Sequence, residues 1–378
     1  MKNIYINTPE LTVLLIFSVV AAVSGRDVDI VRSMEVAATA RNDVVTARTT
    51  DAAVRSGTVG NNTAEASNGT VVKLKTDSPK QQAVLRVTFE DLKNMKELVK
   101  TVVKEDNLAS AVRLSFHDCV GGCNGCLNIE DRDNAGLGDL IIELETLYKG
   151  KQISRFMSRA DFWAYAGIYA VNATVEIANS KCNSTKCLVP NPGLVFKTGR
   201  GDCATSPYTN TRDGFPGPHL NFSGVAGYFH DKFGFTEQET VALMGVHTIG
   251  QAHYHHSGFK GSWVENENTA FNNKYYQILA NQSNNWVQNN VGNTTTPQWQ
   301  WNAANNVGFM LNSDMAIYKE VALSSDGVSS CSYTTCPKSA GAFYVELYAA
   351  SNAEWIPDFA AVYTKLISHG AVNLQDID

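Results

Sequence analysis

Two histidine-bearing segments hold the residue types best suited to chemistry. The first reads Arg113-Leu114-Ser115-Phe116-His117-Asp118-Cys119, and the second Ala242-Leu243-Met244-Gly245-Val246-His247-Thr248-Ile249-Gly250. Imidazole gives and takes protons near neutrality and is the commonest metal-binding side chain. Arg113 stands four residues before His117, so on a helix the two share a face and would enter one pocket together. A permanent positive charge beside a proton acceptor suits a reaction in which an oxygen gains negative charge while a proton moves. Either histidine alone is more readily read as a hydrogen-bonded core residue. The pairing of the two segments points to a site.

The elements that must position these residues are helical. Phe89, Leu92, Met95, Leu98, Val99 and Val102 recur at helical spacing, and Asn107 is placed to cap a helix carrying Ala111, Leu114 and His117. Asn134 would begin another, with Leu137, Leu140, Ile141, Leu144 and Leu147 as its apolar stripe. Ser158 with Asp161, and Thr236 with Glu239, fit the capping-box pattern. Further helices are predicted near 270–280, 312–322 and 340–369, with Pro357 breaking or kinking the last. The stretch 182–222, rich in Pro, Gly, Asn and Cys, reads as long loops. Strand signals are few and short, and no repeat is present. The fold class expected is mainly α.

A charged start at Lys2, an apolar run from Leu11 to Ala22 and a small-residue exit describe a secretory signal peptide over 1–25. The run is too short to span a bilayer comfortably, so no membrane span is expected in the mature protein. Residues 26–82 are nearly free of aromatics and are read as a flexible arm. A globular domain over 83–372 and a short tail over 373–378 complete the organisation. Sequons at Asn61, Asn68, Asn172, Asn183, Asn221, Asn281 and Asn293 fit a secreted glycoprotein, although Asn172 falls on a half-buried helical position. Eight cysteines, an even number, suit disulfides in an oxidising compartment. Their connectivity is left open; Cys182 with Cys187 and Cys331 with Cys336 are convenient local pairs, and a zinc site at Cys123 and Cys126 fits an exported chain less well than bridges do. A net charge of −6 gives no basic footprint for nucleic acid.

The order Arg-x-x-Phe-His-Asp, then Ala-Leu-x-Gly-x-His-Thr-Ile-Gly, resembles the plant, fungal and bacterial haem peroxidase superfamily. Asn134-Ala135-Gly136-Leu137, Gly199-Arg200, His253, Ser257-Gly258-Phe259, Trp263 and Met310-Leu311-x-x-Asp314 fall in the same family order. The likeness covers about residues 85–372, and the downstream half is most similar to cytochrome c peroxidase and ascorbate peroxidase. It implies a two-lobed helical fold with haem b between distal and proximal helices. It further implies His247 as the iron ligand, Asp314 as the acceptor holding that histidine, and His253 at a haem propionate. His117 would be the general base and acid toward hydrogen peroxide, with Asn134 fixing its tautomer, Arg113 stabilising the leaving oxygen and Phe116 lying over the haem.

Departures from the relatives bear on the electron donor. Phe116 stands where the cytochrome c and ascorbate enzymes carry tryptophan, whereas Trp263 stands where the former forms a radical. His256 replaces the arginine that holds ascorbate, and Asp106 and Ser110 replace the two glutamates of a manganese site. Asp118 and Asn124 are the calcium candidates, but Asn124-Gly125-Cys126 lacks the usual carboxylate and hydroxyl, and Val264 weakens a second cation site. The expectation is a secreted haem peroxidase that reduces hydrogen peroxide and oxidises small, phenolic donors. It would serve peroxide removal, as in a response to oxidative stress, or radical cross-linking. The rival readings are an extracellular structural or adhesive protein with this fold, and a haem-binding module without turnover.

Overall fold

Local chemistry starts most of the helices. Thr88 caps α1 (Phe89–Val102) through a capping box, its hydroxyl accepting from the Asp91 N–H while Asp91 accepts from the Thr88 N–H. Asn107 precedes α2 (Leu108–Val120) but does not cap it. Its amide instead ties Lys104 N–H to the Val102 carbonyl and pins the α1–α2 connection. After α3 (Gly138–Gly150), Ser158 caps α4 (Arg159–Lys181), yet Asp161 does not reach back to complete a box. Its buried carboxylate accepts from Thr198, Gly199 N–H and Arg200, which holds the long loop against the helix start. This computed structural model describes residues 87–293 and 295–377 and, before them, the backbone of five strands.

The chain divides into two units, 1–84 and 85–378. In the first, β1 (Lys2–Thr8), β2 (Leu11–Phe17), β3 (Ala38–Arg41), β4 (Val44–Arg48) and β5 (Val71–Lys75) lie in the order β2-β1-β3-β4-β5. Only the β1–β3 pairing is parallel. The signal-peptide and arm readings otherwise fall on residues outside those described.

In the second unit, helices α1 to α4 pack together, α2 against α4 most closely. Gly167 makes that approach close, because a side chain there would meet Ser115 and Tyr363. A second group comprises α5 (Phe222–Phe233), α6 (Glu237–Met244), α8 (Lys274–Ala280), α10 (Ala342–Ala350) and α11 (Asn352–Leu366). Thr236 and Glu239 form the expected capping box at α6. The two groups are tied by Ser115 and Tyr363, whose hydroxyls lie 2.7 Å apart, and by Arg200 on the Ile367 carbonyl. At the rim, α7 (Tyr254–Ser257) lies against the 3-10 turn Arg132–Asn134.

Strands here are short. β6 (Gln251–Ala252) pairs with β7 (Gly261–Ser262), and β8 (Val287–Asn290), β9 (Trp299–Asn302) and β10 (Phe309–Met310) form an antiparallel sheet leading into α9 (Asn312–Ala316). Three helix expectations are corrected. Asn134 lies in the 3-10 turn before α3; α9 ends at Ala316, well short of 322; and the break in 340–369 falls at Ser351, with Pro357 inside α11. Ser351 is extended and caps α11, so the chain changes direction there, whereas Pro357 sits within the second turn of a helix already started. No described helix is long and apolar enough to cross a membrane.

All eight cysteines are paired, as Cys119–Cys123, Cys126–Cys203, Cys182–Cys187 and Cys331–Cys336. The two local bridges are those expected, and a zinc site at Cys123 and Cys126 is ruled out by their separate partners.

Gly245, two residues before His247, shows how tightly the second group is built. A Cβ there would meet the Tyr276 hydroxyl and would stand 2.7 Å from Trp355 Cζ2. Gly245→Ala is therefore expected to destabilise this unit by about 1–3 kcal/mol, as overpacking of a filled core does. Urea denaturation measures this, and an unchanged midpoint would show that the contact relaxes freely.

Candidate functional site

His117 lies on the last turns of α2, 7% exposed, with both ring nitrogens engaged. Nδ1 is 2.7 Å from Asn134 Oδ1. The Asn134 amide is oriented by its own Nδ2, which donates to the Asn128 carbonyl at 2.8 Å. An amide held that way offers only its oxygen to the histidine, so Nδ1 carries the proton and Nε2 keeps a lone pair. Arg113 Nε–H points at that lone pair from 3.2 Å, one helical turn away. The guanidinium is held by the carbonyls of Ala135 at 2.9 Å and Asp133 at 2.6 Å. Arg113, His117 and Asn134, separated in sequence, thus form one connected group.

Electrostatics agree with this tautomer. Burial, then the charge of Arg113, pulls His117 down to about 3, and the bond to Asn134 only partly offsets this. Burial also lowers Arg113 to about 10, which leaves it charged at neutrality. The site presents a neutral base beside a fixed cation.

His247 lies in the 3-10 turn Gly245–Thr248 that follows α6. Its Nδ1 is 2.7 Å from Asp314 Oδ1. Asp314, on α9, is fully buried and accepts three further bonds: from Trp263 Nε1 at 2.7 Å, the Tyr275 hydroxyl at 2.8 Å and Leu311 N–H at 2.8 Å. Burial alone would push this carboxyl up, but the neighbouring His247 imidazole, with the N–H donors of Trp263 and Leu311, holds it below the usual range. Trp263 stacks on His247, ring centroids 4.2 Å apart. With Nδ1 committed to Asp314, the lone pair of His247 Nε2 remains for a metal, and the ring is 28% exposed while Asp314 is 0% exposed.

Other predicted residues fall around these two centres. Phe116 is half-buried and meets His117 edge-on at 5.5 Å. His253 and His256 are exposed on the rim, 5.8 Å apart, and His256 lies against Gly136 of the loop carrying Asn134. Asp118 is buried, and its Oδ1 accepts main-chain N–H groups of Asn124 and Cys126 at 3.2 Å. Burial raises it to about 7 against those hydrogen bonds. Asn124 is turned to the Gly121 carbonyl. Among the described residues no cluster of three or more His, Cys, Asp or Glu side chains is arranged to hold a metal ion.

Three residues were not singled out by sequence. Phe215, from the long loop, lies over His117 with ring centroids 4.4 Å apart. Asn128 orients Asn134 only through its main chain, so its side chain gave no signal. Tyr275 looked like any core residue of α8.

The unfolded chain binds a proton at His117 near 6.5, whereas the folded site does so near 3. Between these values the native state binds fewer protons, so this group's contribution to stability is lost as pH falls through that window. Imidazole nitrogen NMR should show His117 neutral and Nδ1-protonated from neutrality to about pH 4. Titration near 6 would contradict the geometry.

The profile of the peroxidase family matches residues 92–329. A protein of Candida albicans named as a heme-binding peroxidase is 28% identical over 272 residues, covering 68% of this chain and 79% of the relative. One of Yarrowia lipolytica with the same name is 28% identical over 284 residues, covering 71% and 81%. A second Yarrowia protein, named as a mitochondrial cytochrome c peroxidase, is 25% identical over 272 residues, covering 68% and 80%. The profile spans more than half of the chain and takes in both histidine segments and Asp314, and on that match the chain belongs to the peroxidase family.

Proposed function

We propose that this chain is an exported enzyme that holds haem b through His247 and uses hydrogen peroxide to oxidise small phenolic donors. The observation that carries this reading is the opposite preparation of two histidines. His117 is kept neutral with Nε2 unprotonated beside Arg113, and His247 is made electron-rich by Asp314 with its Nε2 unclaimed. The names of the relatives, heme-binding peroxidases, support the same cofactor. The donor set fits haem: an imidazole for the iron and apolar rings of Phe116 and Phe215 beside the base. When bound, the haem supplies the iron that accepts the two oxidising equivalents of the peroxide.

The chain's own residues move the proton. Nε2 of His117 takes a proton from hydrogen peroxide and delivers it to the oxygen that leaves as water. The Arg113 guanidinium stabilises the negative charge on that oxygen as the O–O bond breaks. Asn134 keeps the imidazole in the tautomer that can accept, and Phe215 covers it against bulky entrants. Trp263, bonded to Asp314 and stacked on His247, is placed to give up one electron when the second donor is late. Calcium is not part of this reading, since Asp118 Oδ1 accepts main-chain N–H groups and the Asn124 amide is turned to the Gly121 carbonyl.

Export rests on the apolar N-terminal run, the four disulfides and the sequons, of which Asn183, Asn221, Asn281 and Asn293 are exposed. Outside the cell the reaction would remove peroxide or couple phenolic material.

The test is the absorption spectrum of protein purified from culture medium, before and after one equivalent of hydrogen peroxide. A haem band that shifts at once is expected. His117→Leu should keep the band but slow the shift by about 10²–10⁴-fold. Haem without any shift would indicate a binding module, and no haem even after reconstitution would favour a structural or adhesive role.

A further inference from the structure

A file of four tyrosines leads from the proximal histidine to the surface of α10. Ring centroids are 6.2 Å apart for His247 and Tyr275, 5.2 Å for Tyr275 and Tyr276, 5.3 Å for Tyr276 and Tyr348, and 6.5 Å for Tyr348 and Tyr344. These separations lie in the range of packed aromatic pairs, across which an electron tunnels quickly. Trp263 joins the file at Asp314, which also accepts the Tyr275 hydroxyl. Tyr275, Tyr276 and Tyr348 are buried, whereas Tyr344 is half-exposed beside Phe343, which is 67% exposed.

Hydroxyl partners sort the three buried ones. Tyr275 donates to a carboxylate that already holds His247, Trp263 and Leu311, so its proton has nowhere to go without loosening His247. Tyr276 donates to the carbonyls of Val241 and Ala242, which are too weakly basic to take a phenol's proton. Both can therefore bridge an electron but not host a lasting radical. Tyr348 donates at 2.7 Å to Oδ2 of Asp358, a half-buried carboxylate whose same oxygen also accepts the Gln238 amide; taking the proton would loosen that amide and leave His247 untouched.

We propose that this file carries oxidising equivalents from the haem pocket to Tyr344, making α10 a second oxidation site for phenols too large to enter that pocket. The inference rests on the haem-peroxidase reading. In each transfer one electron leaves Tyr348 toward the pocket and its proton moves to Asp358. Tyr344 returns an electron to Tyr348, which recovers its proton from Asp358, and Tyr344 releases its own proton to water. A bulky phenol then gives Tyr344 an electron and a proton and becomes a phenoxyl radical. Two such turns supply two electrons and, through the one proton that Tyr344 releases to water in each, the two protons that convert hydrogen peroxide to two waters.

The test treats the haem-loaded protein with one equivalent of hydrogen peroxide and a nitroso spin trap, then maps the adducts by mass spectrometry. Expected is an adduct on Tyr344, absent in Tyr344→Phe and at least tenfold weaker in Tyr348→Phe, with the haem-band shift alike in all three. Both substitutions keep the ring, and equal melting temperatures would confirm that the fold is intact. An adduct undiminished in Tyr348→Phe, or found only elsewhere while the band shifts, would overturn the relay alone. No band shift in the unaltered protein would overturn the peroxidase reading and the relay with it.

Discussion

A carboxylate without access to water persists as an anion only when donors surround it, and Asp314 collects four. Removing one donor from such a buried anion costs about 1.5–3 kcal/mol, more than a surface pair contributes. His247, Trp263 and Tyr275, which come from three separate segments, are therefore locked to α9 as a unit. The local sheet of β8, β9 and β10 delivers α9 to this spot, and Gly245 lets the turn bearing His247 approach Tyr276. This side is held in place because its charge is buried, and an imidazole whose Nδ1–H is given to the Asp314 carboxylate is the more electron-rich for it.

The distal side uses the opposite electrostatic design. Among the described residues no carboxylate hydrogen-bonds His117; a neutral amide does, and Arg113 adds a positive charge nearby. An anionic partner would raise the imidazole's proton affinity and load it with a second proton, whereas an amide fixes the tautomer without adding charge. One chain thus gives one histidine a carboxylate partner and the other an amide, and the proposed roles of ligand and base rest on that difference. The two designs sit on separate helix groups joined through Tyr363 and Arg200.

The sequence carried the groups of the proposed site because their chemistry restricts residue type: a base, a cation, a tautomer-fixing amide and a buried acceptor are hard to supply otherwise. His117, Arg113 and Asn134 meet as expected, as do His247, Asp314 and Trp263. What stayed hidden depended on long-range packing. Phe215 sits in a loop without periodicity, held in part where Asp161 grips residues 198–200 rather than closing its own helix cap. Asn128 acts through a carbonyl, which every residue has. Helix ends were misplaced where tertiary demand outweighed propensity: Asn107 served its connection instead of α2, and Ser351 rather than Pro357 turned the chain. Main-chain N–H groups on Asp118 likewise leave no trace in a sequence.

The most direct measurement is the iron–histidine stretching frequency of the reduced, haem-loaded protein by resonance Raman spectroscopy, compared with Asp314→Asn. If Asp314 makes His247 electron-rich through the 2.7 Å bond, the frequency falls clearly in the variant. An unchanged frequency, with haem still bound through His247, would contradict the role given to that carboxylate.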